Sequence, residues 1–257
     1  MSAPLLRIDG LSHSFRGLTA VDGFSTAIST GEIVGLIGPN GAGKSTVFNL
    51  VCGLYQPADG TMTFDGVVLN GRRPHRITSL GIGRTFQNIR LWNEMSVLDN
   101  IRIAQSALLG YGIPGALLRT ATARRTEREV VDRARELLCA FGLDALRLDR
   151  PRNLPYGVQR RVEICRALAI RPQLLLLDEP AAGMNQGEIG DLIRLIAWVR
   201  DEFGVAVWII EHQMRVIMGI CERIQVLNFG ETIAVGSPAE IRQDAAVVTA
   251  YLGEEVS

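Results

Sequence analysis

Gly38-Pro39-Asn40-Gly41-Ala42-Gly43-Lys44-Ser45-Thr46 decides how the rest of the chain is read. Ahead of it, Ile33-Val34-Gly35-Leu36-Ile37 is an apolar run of strand length; behind it, Val47 to Cys52 continues as a helix that Gly53 ends. A glycine-rich turn between strand and helix directs backbone N–H groups and the helix N-terminus onto one concave surface, which suits an anion. Gly38, Gly41 and Gly43 let the backbone bend around a phosphate with no Cβ in the way. Lys44 is placed to reach β- and γ-phosphates, and the Ser45 hydroxyl to ligate Mg²⁺. A turn that binds nothing would need neither the lysine nor the hydroxyl.

The 257 residues carry 27 basic and 27 acidic side chains and are 47% hydrophobic, which suits one core with an inserted lobe. A formal charge of zero offers no long-range field to nucleic acid, so no direct nucleic-acid partner is expected. Cys52, Cys139, Cys165 and Cys221 stand singly, without C-x-x-C pairs, and read as reduced thiols of a cytosolic protein. Charge arrives too early at the N-terminus for a signal peptide, and no uncharged apolar run reaches the roughly twenty residues of a membrane span. Any membrane role must come through a partner.

From Leu5 to Ile28 short alternating segments broken by Gly10, Gly17 and Gly23 read as antiparallel strands. Thr61 to Phe64 and Val67 to Leu69 flank Asp65-Gly66, a hairpin signal. Both sets are expected to form an antiparallel flap beside the nucleotide core. Phe15 is placed either to stack on an adenine ring or to fill the core of an edge strand. Ile82 to Gln87 reads as a strand ending in a polar residue, and Gln87 can meet Mg²⁺ or an attacking water through its carbonyl oxygen.

Beyond Asn88 the pattern becomes helical: Val130, Val131, Ala134, Leu137, Leu138 and Phe141 share a face, and Gly142 closes it. The arginines at 119, 124, 125 and 128 interleave with Glu127 and Glu129, which favours a solvated helix face over a nucleic-acid patch. Leu154-Pro155-Tyr156-Gly157-Val158-Gln159-Arg160-Arg161 then leads into a helical run from Val162 to Ile170. Leu174 to Leu177 is apolar throughout, as a strand buried on both faces should be, and delivers Asp178 and Glu179 at its end. Asp178 can hold Mg²⁺ through water, and Glu179 is the candidate base for the attacking water. Val205 to Ile210 is the next buried strand and delivers Glu211 and His212, the latter a candidate γ-phosphate sensor. Ile224 to Leu227 and Thr232 to Val235 form a hairpin around Phe229-Gly230, and Ser237-Pro238-Ala239-Glu240 is a capping box.

Taken in order, Phe15, the phosphate loop, Gln87, the segment from Leu154 to Gln159, Asp178-Glu179 and His212 resemble the nucleotide-binding subunit of an ATP-binding cassette (ABC) transporter. Arg84-Thr85-Phe86-Gln87, Leu154 to Arg161, Asp178 to Asn185 and the tail Ala250 to Glu254 are similar to its branched-chain amino acid uptake branch. The resemblance implies an α/β P-loop NTPase core with a mixed sheet, an antiparallel β flap and an inserted helical subdomain. The expected divisions are 1–87 for the core with its flap, 88–160 for the helical subdomain and 161–257 for the core's continuation. It implies ATP and Mg²⁺ bound by Phe15, Gly38, Pro39, Asn40, Gly41, Ala42, Gly43, Lys44, Ser45 and Thr46, with Ser45, Gln87 and Asp178 toward the metal and Glu179, His212 and Gln87 at the reaction. It also implies a head-to-tail dimer with a second cassette, identical or different, in which Tyr156 and Gly157 face the partner's nucleotide. The further partners are transmembrane permease subunits, docking on the helical lobe and on Asn88 to Trp92, and indirectly a substrate-binding protein. The place is the cytoplasmic face of the membrane, peripherally.

Two departures from that pattern matter: the signature segment, where Tyr156 and Val158 also stand for the usual first glycine and glutamine, and the position of Asn185. Pro155 stands for the usual serine of the signature segment and offers neither hydroxyl nor N–H, and Asn185 stands for the usual aspartate. Losing a donor of this kind costs about 3 kcal/mol, so slower turnover is expected from a site that stays active through Lys44, Glu179 and His212. The readings that compete are a lipid or lipopolysaccharide export cassette, a soluble cassette ATPase acting on DNA or ribosomes, and a nucleotide-binding module with vestigial hydrolysis. Neutral charge and a single cassette speak against the soluble ATPase, and Glu179 against the vestigial module.

Overall fold

The computed structural model describes residues 3–105 and 121–252. Two units divide the chain, one from residues 1–87 with 173–257 and one from residues 88–172. The second unit contains the whole of helix Tyr156–Leu168.

The first unit contains two sheets. β1 (Leu6–Phe15), β2 (Leu18–Ile28), β4 (Asp59–Phe64) and β5 (Val67–Val68) form an antiparallel sheet in the order β2-β1-β4-β5. Gly10 and Gly23 do not end strands, contrary to expectation. Each takes a left-handed φ, 61° and 59°, within a strand whose register shifts, and a serine side chain recovers the displaced N–H: Gly10 N–H donates to Ser25 Oγ (2.8 Å) and Gly23 N–H to Ser12 Oγ (2.9 Å). β3 (Ile33–Ile37), β6 (Ile82–Arg84), β7 (Leu174–Asp178), β8 (Ala206–Ile210), β9 (Arg223–Asn228) and β10 (Glu231–Gly236) form the second sheet, in the order β10-β9-β3-β8-β7-β6. All its pairings are parallel except β9 with β10, so the sheet is mixed, as expected. Every residue of β3, β7 and β8 is buried, which accounts for their unbroken apolar sequences.

One core joins the two sheets of this unit: Leu6, Phe24 and Phe64 from the flap pack with Phe48, Leu174, Leu176 and Trp208. α1 (Lys44–Val51) contributes Val47, Phe48, Leu50 and Val51 to that core. A short helix, α2 (Pro74–Ser79), follows the flap. In the second unit, α3 (Val97–Ala104) is capped by Ser96, whose Oγ accepts from Asp99 N–H at 3.0 Å. α4 (Ala121–Ala140) buries Val130, Ala134 and Leu138, and α5 (Tyr156–Leu168) starts at Tyr156, earlier than the sequence suggested. Its proline sits at the N-cap and Gly157 lies inside the first turn. Arg119 lies outside the described residues; Arg125 pairs with Glu129 and Arg102 with Glu127 on an exposed face. The remaining helices, α6 (Gln186–Phe203), α7 (Met214–Ile220), α8 (Pro238–Gln243) and α9 (Ala245–Leu252), belong to the first unit, and Gly253 and Glu254 of the tail lie outside the described residues. Among the described residues no helix is long and apolar enough to cross a membrane, and all four cysteines are free.

Candidate nucleotide site

The parallel strands set the site. β8 lies between β3 and β7, and the register puts Leu36, Ile210 and Asp178 in one row, so three strands release their functional segments at the same edge. The phosphate loop leaves β3, Asp178 and Glu179 leave β7, and Glu211 and His212 leave β8.

The loop's glycines serve a different neighbour from the one expected. A Cβ on Gly38 would lie 2.0 Å from the Leu227 carbonyl oxygen, and one on Gly43 would lie 2.3 Å from that of Ala20. Both therefore let the loop press on the backbone of β9 and β2 behind it. Only Gly41 faces open space, with φ 76°. Gly43 caps α1 without any side-chain hydrogen bond, so no protein group competes for the helix N-terminus through a capping side chain. The Lys44 ammonium is buried and donates to the carbonyls of Gly38 (2.6 Å) and Pro39 (2.7 Å). Ser45 and Asn40 are exposed at the mouth, Thr46 is half-buried, and Pro39 and Ala42 are buried.

Glu179 has φ 46°, in the left-handed region that a side chain enters at a cost. Its N–H donates to the Ile210 carbonyl (2.8 Å), which anchors the turn to β8. Both carboxylate oxygens are held: Gln87 Nε2 donates to Oε2 at 2.6 Å, and His212 Nε2 lies 2.6 Å from Oε1. With the carboxylate ionised, that imidazole nitrogen must carry the proton. Gln87 is not the end of a strand as expected; β6 stops at Arg84, and Gln87 sits three residues on, in irregular chain.

Three residues here were given no such role by sequence reasoning. Arg84 donates from Nη2 to Asp178 Oδ2 and from Nη1 to Asn49 Oδ1 of α1, each at 2.8 Å. Glu211 is buried and accepts from the backbone N–H groups of Ala181 (2.7 Å), His212 (2.9 Å) and Gln213 (3.0 Å). Burial pushes its carboxyl above the ordinary range, against the pull of those three donors. Asn185 caps α6: its Oδ1 accepts from Gly187 and Glu188 N–H, and Glu188 Oε2 accepts from Asn185 N–H. The signal for it, N-x-x-E ahead of an apolar period, was in the sequence.

Phe15 is part of an exposed aromatic cluster. Its ring stands edge-on to His13 (4.5 Å) and Tyr55 (5.1 Å), which stack on each other. In the second unit, the N-terminus of α5 has no side-chain cap, and the Tyr156 hydroxyl accepts from Arg160 at 2.9 Å.

The donor set fits a nucleotide with a hard cation. The loop mouth opens at Gly41, and the oxygens available are a serine hydroxyl, an amide and a single carboxylate, the pattern used when phosphates supply the remaining ligands. Among the described residues no cluster of three His, Cys, Asp or Glu exists that would form an all-protein cage.

A glycine-rich loop with a buried lysine and two strand-end carboxylates leaving the same edge of a mixed sheet define a P-loop ATPase. Residues 21–182 match the ABC transporter family, and residues 231–257 match the branched-chain amino acid ATP-binding cassette transporter family. The chain belongs to the ABC transporter family, as an ATP-hydrolysing cassette subunit of its branched-chain amino acid group. It is 45% identical to the high-affinity branched-chain amino acid transport ATP-binding protein LivG of Salmonella typhimurium over 99% of this chain and 100% of that protein. It is 36% identical to the lipopolysaccharide export system ATP-binding protein LptB of Escherichia coli over 97% of this chain and 98% of that one. Its fold is similar to the ADP conformation of MJ1267, an ATP-binding cassette of an ABC transporter, with TM-score 0.86 and 28% identity over 98% and 100% of the two chains.

Proposed function

We propose that the chain binds MgATP at this edge and uses its hydrolysis to drive uptake of branched-chain amino acids through permease subunits. The grip of Gln87 and His212 on Glu179 carries the reading, because it orients one carboxylate at the sheet edge from which the phosphate loop also leaves. Ser45, Gln87 and Asp178 would hold Mg²⁺, which would supply charge neutralisation to the triphosphate. Lys44 exchanges its loop carbonyls for phosphate oxygens, and the N–H groups from Gly38 to Thr46 close around the phosphates. Phe15 offers its exposed ring to the adenine. Glu179 takes the proton of the attacking water, and His212 holds that carboxylate and meets the γ-phosphate.

Tyr156 and Gly157 serve the other subunit's nucleotide in a head-to-tail dimer, homomeric or with a sister cassette. The match of residues 231–257 and the 45% identity to LivG support uptake over lipopolysaccharide export. The working place is peripheral, on the cytoplasmic face of the membrane, with a substrate-binding protein acting through the permease. Glu179→Gln is the test: ATP turnover is expected to fall by about 10²–10⁴ while ATP remains bound and the dimer becomes stable. Turnover within twofold of the parent, about 0.4 kcal/mol, would refute Glu179 as the base.

A further inference from the structure

Asp178 does not present a bare charge. The guanidinium of Arg84 lies on its Oδ2 at 2.8 Å, and both side chains are 9% exposed. That guanidinium is held at both ends of its fork and between two rings: Nη1 is committed to Asn49, and its carbon lies 5.7 Å from the Phe48 ring centroid and 5.0 Å from that of Phe86. Arginine does not lose its proton in a protein, so the positive charge is permanent. In so dry a setting the pair is close to neutral as seen from the mouth.

We propose that Arg84 makes divalent-cation binding conditional on the nucleotide. A lone cation approaching Asp178 meets a compensated carboxylate and a fixed cation behind it. A cation arriving on a polyphosphate brings its own negative charge and needs only the oxygen that Arg84 leaves over. Arg84 is thus a positioning and charge-balancing residue, which ties Asp178 to α1 and keeps the site from filling with metal before ATP. The inference rests on the reading of Asp178 as the metal-holding carboxylate.

The test uses Mn²⁺ alone, without nucleotide, read by the loss of the free-ion EPR signal and by the shift in thermal unfolding. Arg84→Met keeps an unbranched apolar stem between the two rings and removes the charge. Its Mn²⁺ affinity is expected to exceed that of the parent by at least about tenfold, with a larger Mn²⁺-induced rise in melting temperature. Adding Asp178→Asn to that variant should abolish the gain. Arg84→Lys keeps the charge but loses the fork to Asn49, and is expected within about threefold of the parent. Arg84→Gln is the second neutral variant, should methionine prevent folding.

A gain in neither neutral variant, or an equal gain with lysine, overturns the proposal. Asp178→Asn alone, titrated with Mn²⁺ in the presence of ADP, separates the two levels. If it leaves Mn²⁺ binding unchanged, Asp178 is not a metal holder and both readings fall. If it weakens binding while the neutral Arg84 variants gain nothing, only the role of Arg84 falls.

Discussion

At the scale of single residues, the two kinds of glycine in the phosphate loop separate by what stands behind them. Alanine at Gly41 meets open space and pays only for its left-handed backbone, about 1–2 kcal/mol. Alanine at Gly38 pays for an unfavourable backbone and also for a carbonyl 2.0 Å from its Cβ, so the loop must lift off β9. Overlap of this kind adds about 1–3 kcal/mol. Chemical denaturation is therefore expected to rank Gly38→Ala below Gly41→Ala in stability, and nucleotide affinity should follow the same order; equal losses would mean that the loop does not rest on β9. Glu179 obeys the same logic of position over type. Its left-handed φ is a cost that persists because Ile210, Gln87 and His212 each hold part of it.

At the scale of elements, caps set where the functional helices begin. Asn185 satisfies two N–H groups of α6 with its side chain while its own N–H donates to Glu188 Oε2, so Asn185→Ala is expected to cost about 1 kcal/mol in unfolding free energy. Asn185→Asp should keep the cap, since its Oδ1 can accept the same bonds, and should hold stability within about 0.5 kcal/mol. The departure from aspartate at this position thus leaves the helix intact and confines any effect to what the residue meets outside this chain. By contrast α5 carries Pro155 where a side-chain cap would sit; the Pro155 carbonyl accepts from the N–H groups of Val158 and Gln159, and no side chain caps those of Tyr156 and Gly157. Glu211 works between elements: it gathers three backbone N–H groups from the turns after β7 and β8, which keeps Glu179 and His212 in mutual reach.

At the scale of the whole molecule, ligand and metal should register where the strand ends meet. MgATP is expected to slow hydrogen exchange in β3, α1 and β7 of the first unit, and a ligand at a hundred times its Kd protects by about 2.7 kcal/mol. Chelating the metal with EDTA should remove part of that protection, the share carried by Ser45, Gln87 and Asp178. Protection that is indifferent to EDTA would take the metal away from those oxygens.

Much of this was legible in the residues themselves. Buried parallel strands are apolar along their whole length, so β3, β7 and β8 announced themselves, and the Asp65-Gly66 and Phe229-Gly230 turns marked their hairpins. The loop, the acidic pair and His212 could be singled out as candidates because the chemistry proposed for them depends on residue type at a strand's end, which is a local property. The bulges at Gly10 and Gly23 were misread as breaks, because one glycine with positive φ looks the same in sequence whether the neighbouring strand resumes or not. Tertiary structure alone decided the rest: that β8 separates β3 from β7, that Leu227 and Ala20 lie behind the loop's glycines, and that Arg84 meets Asp178 across 94 positions of chain. Those contacts join segments with no shared period or spacing. Short-range sterics wrote the elements into the sequence, whereas the pairing of charges depends on which strand ends the sheet order brings to one edge.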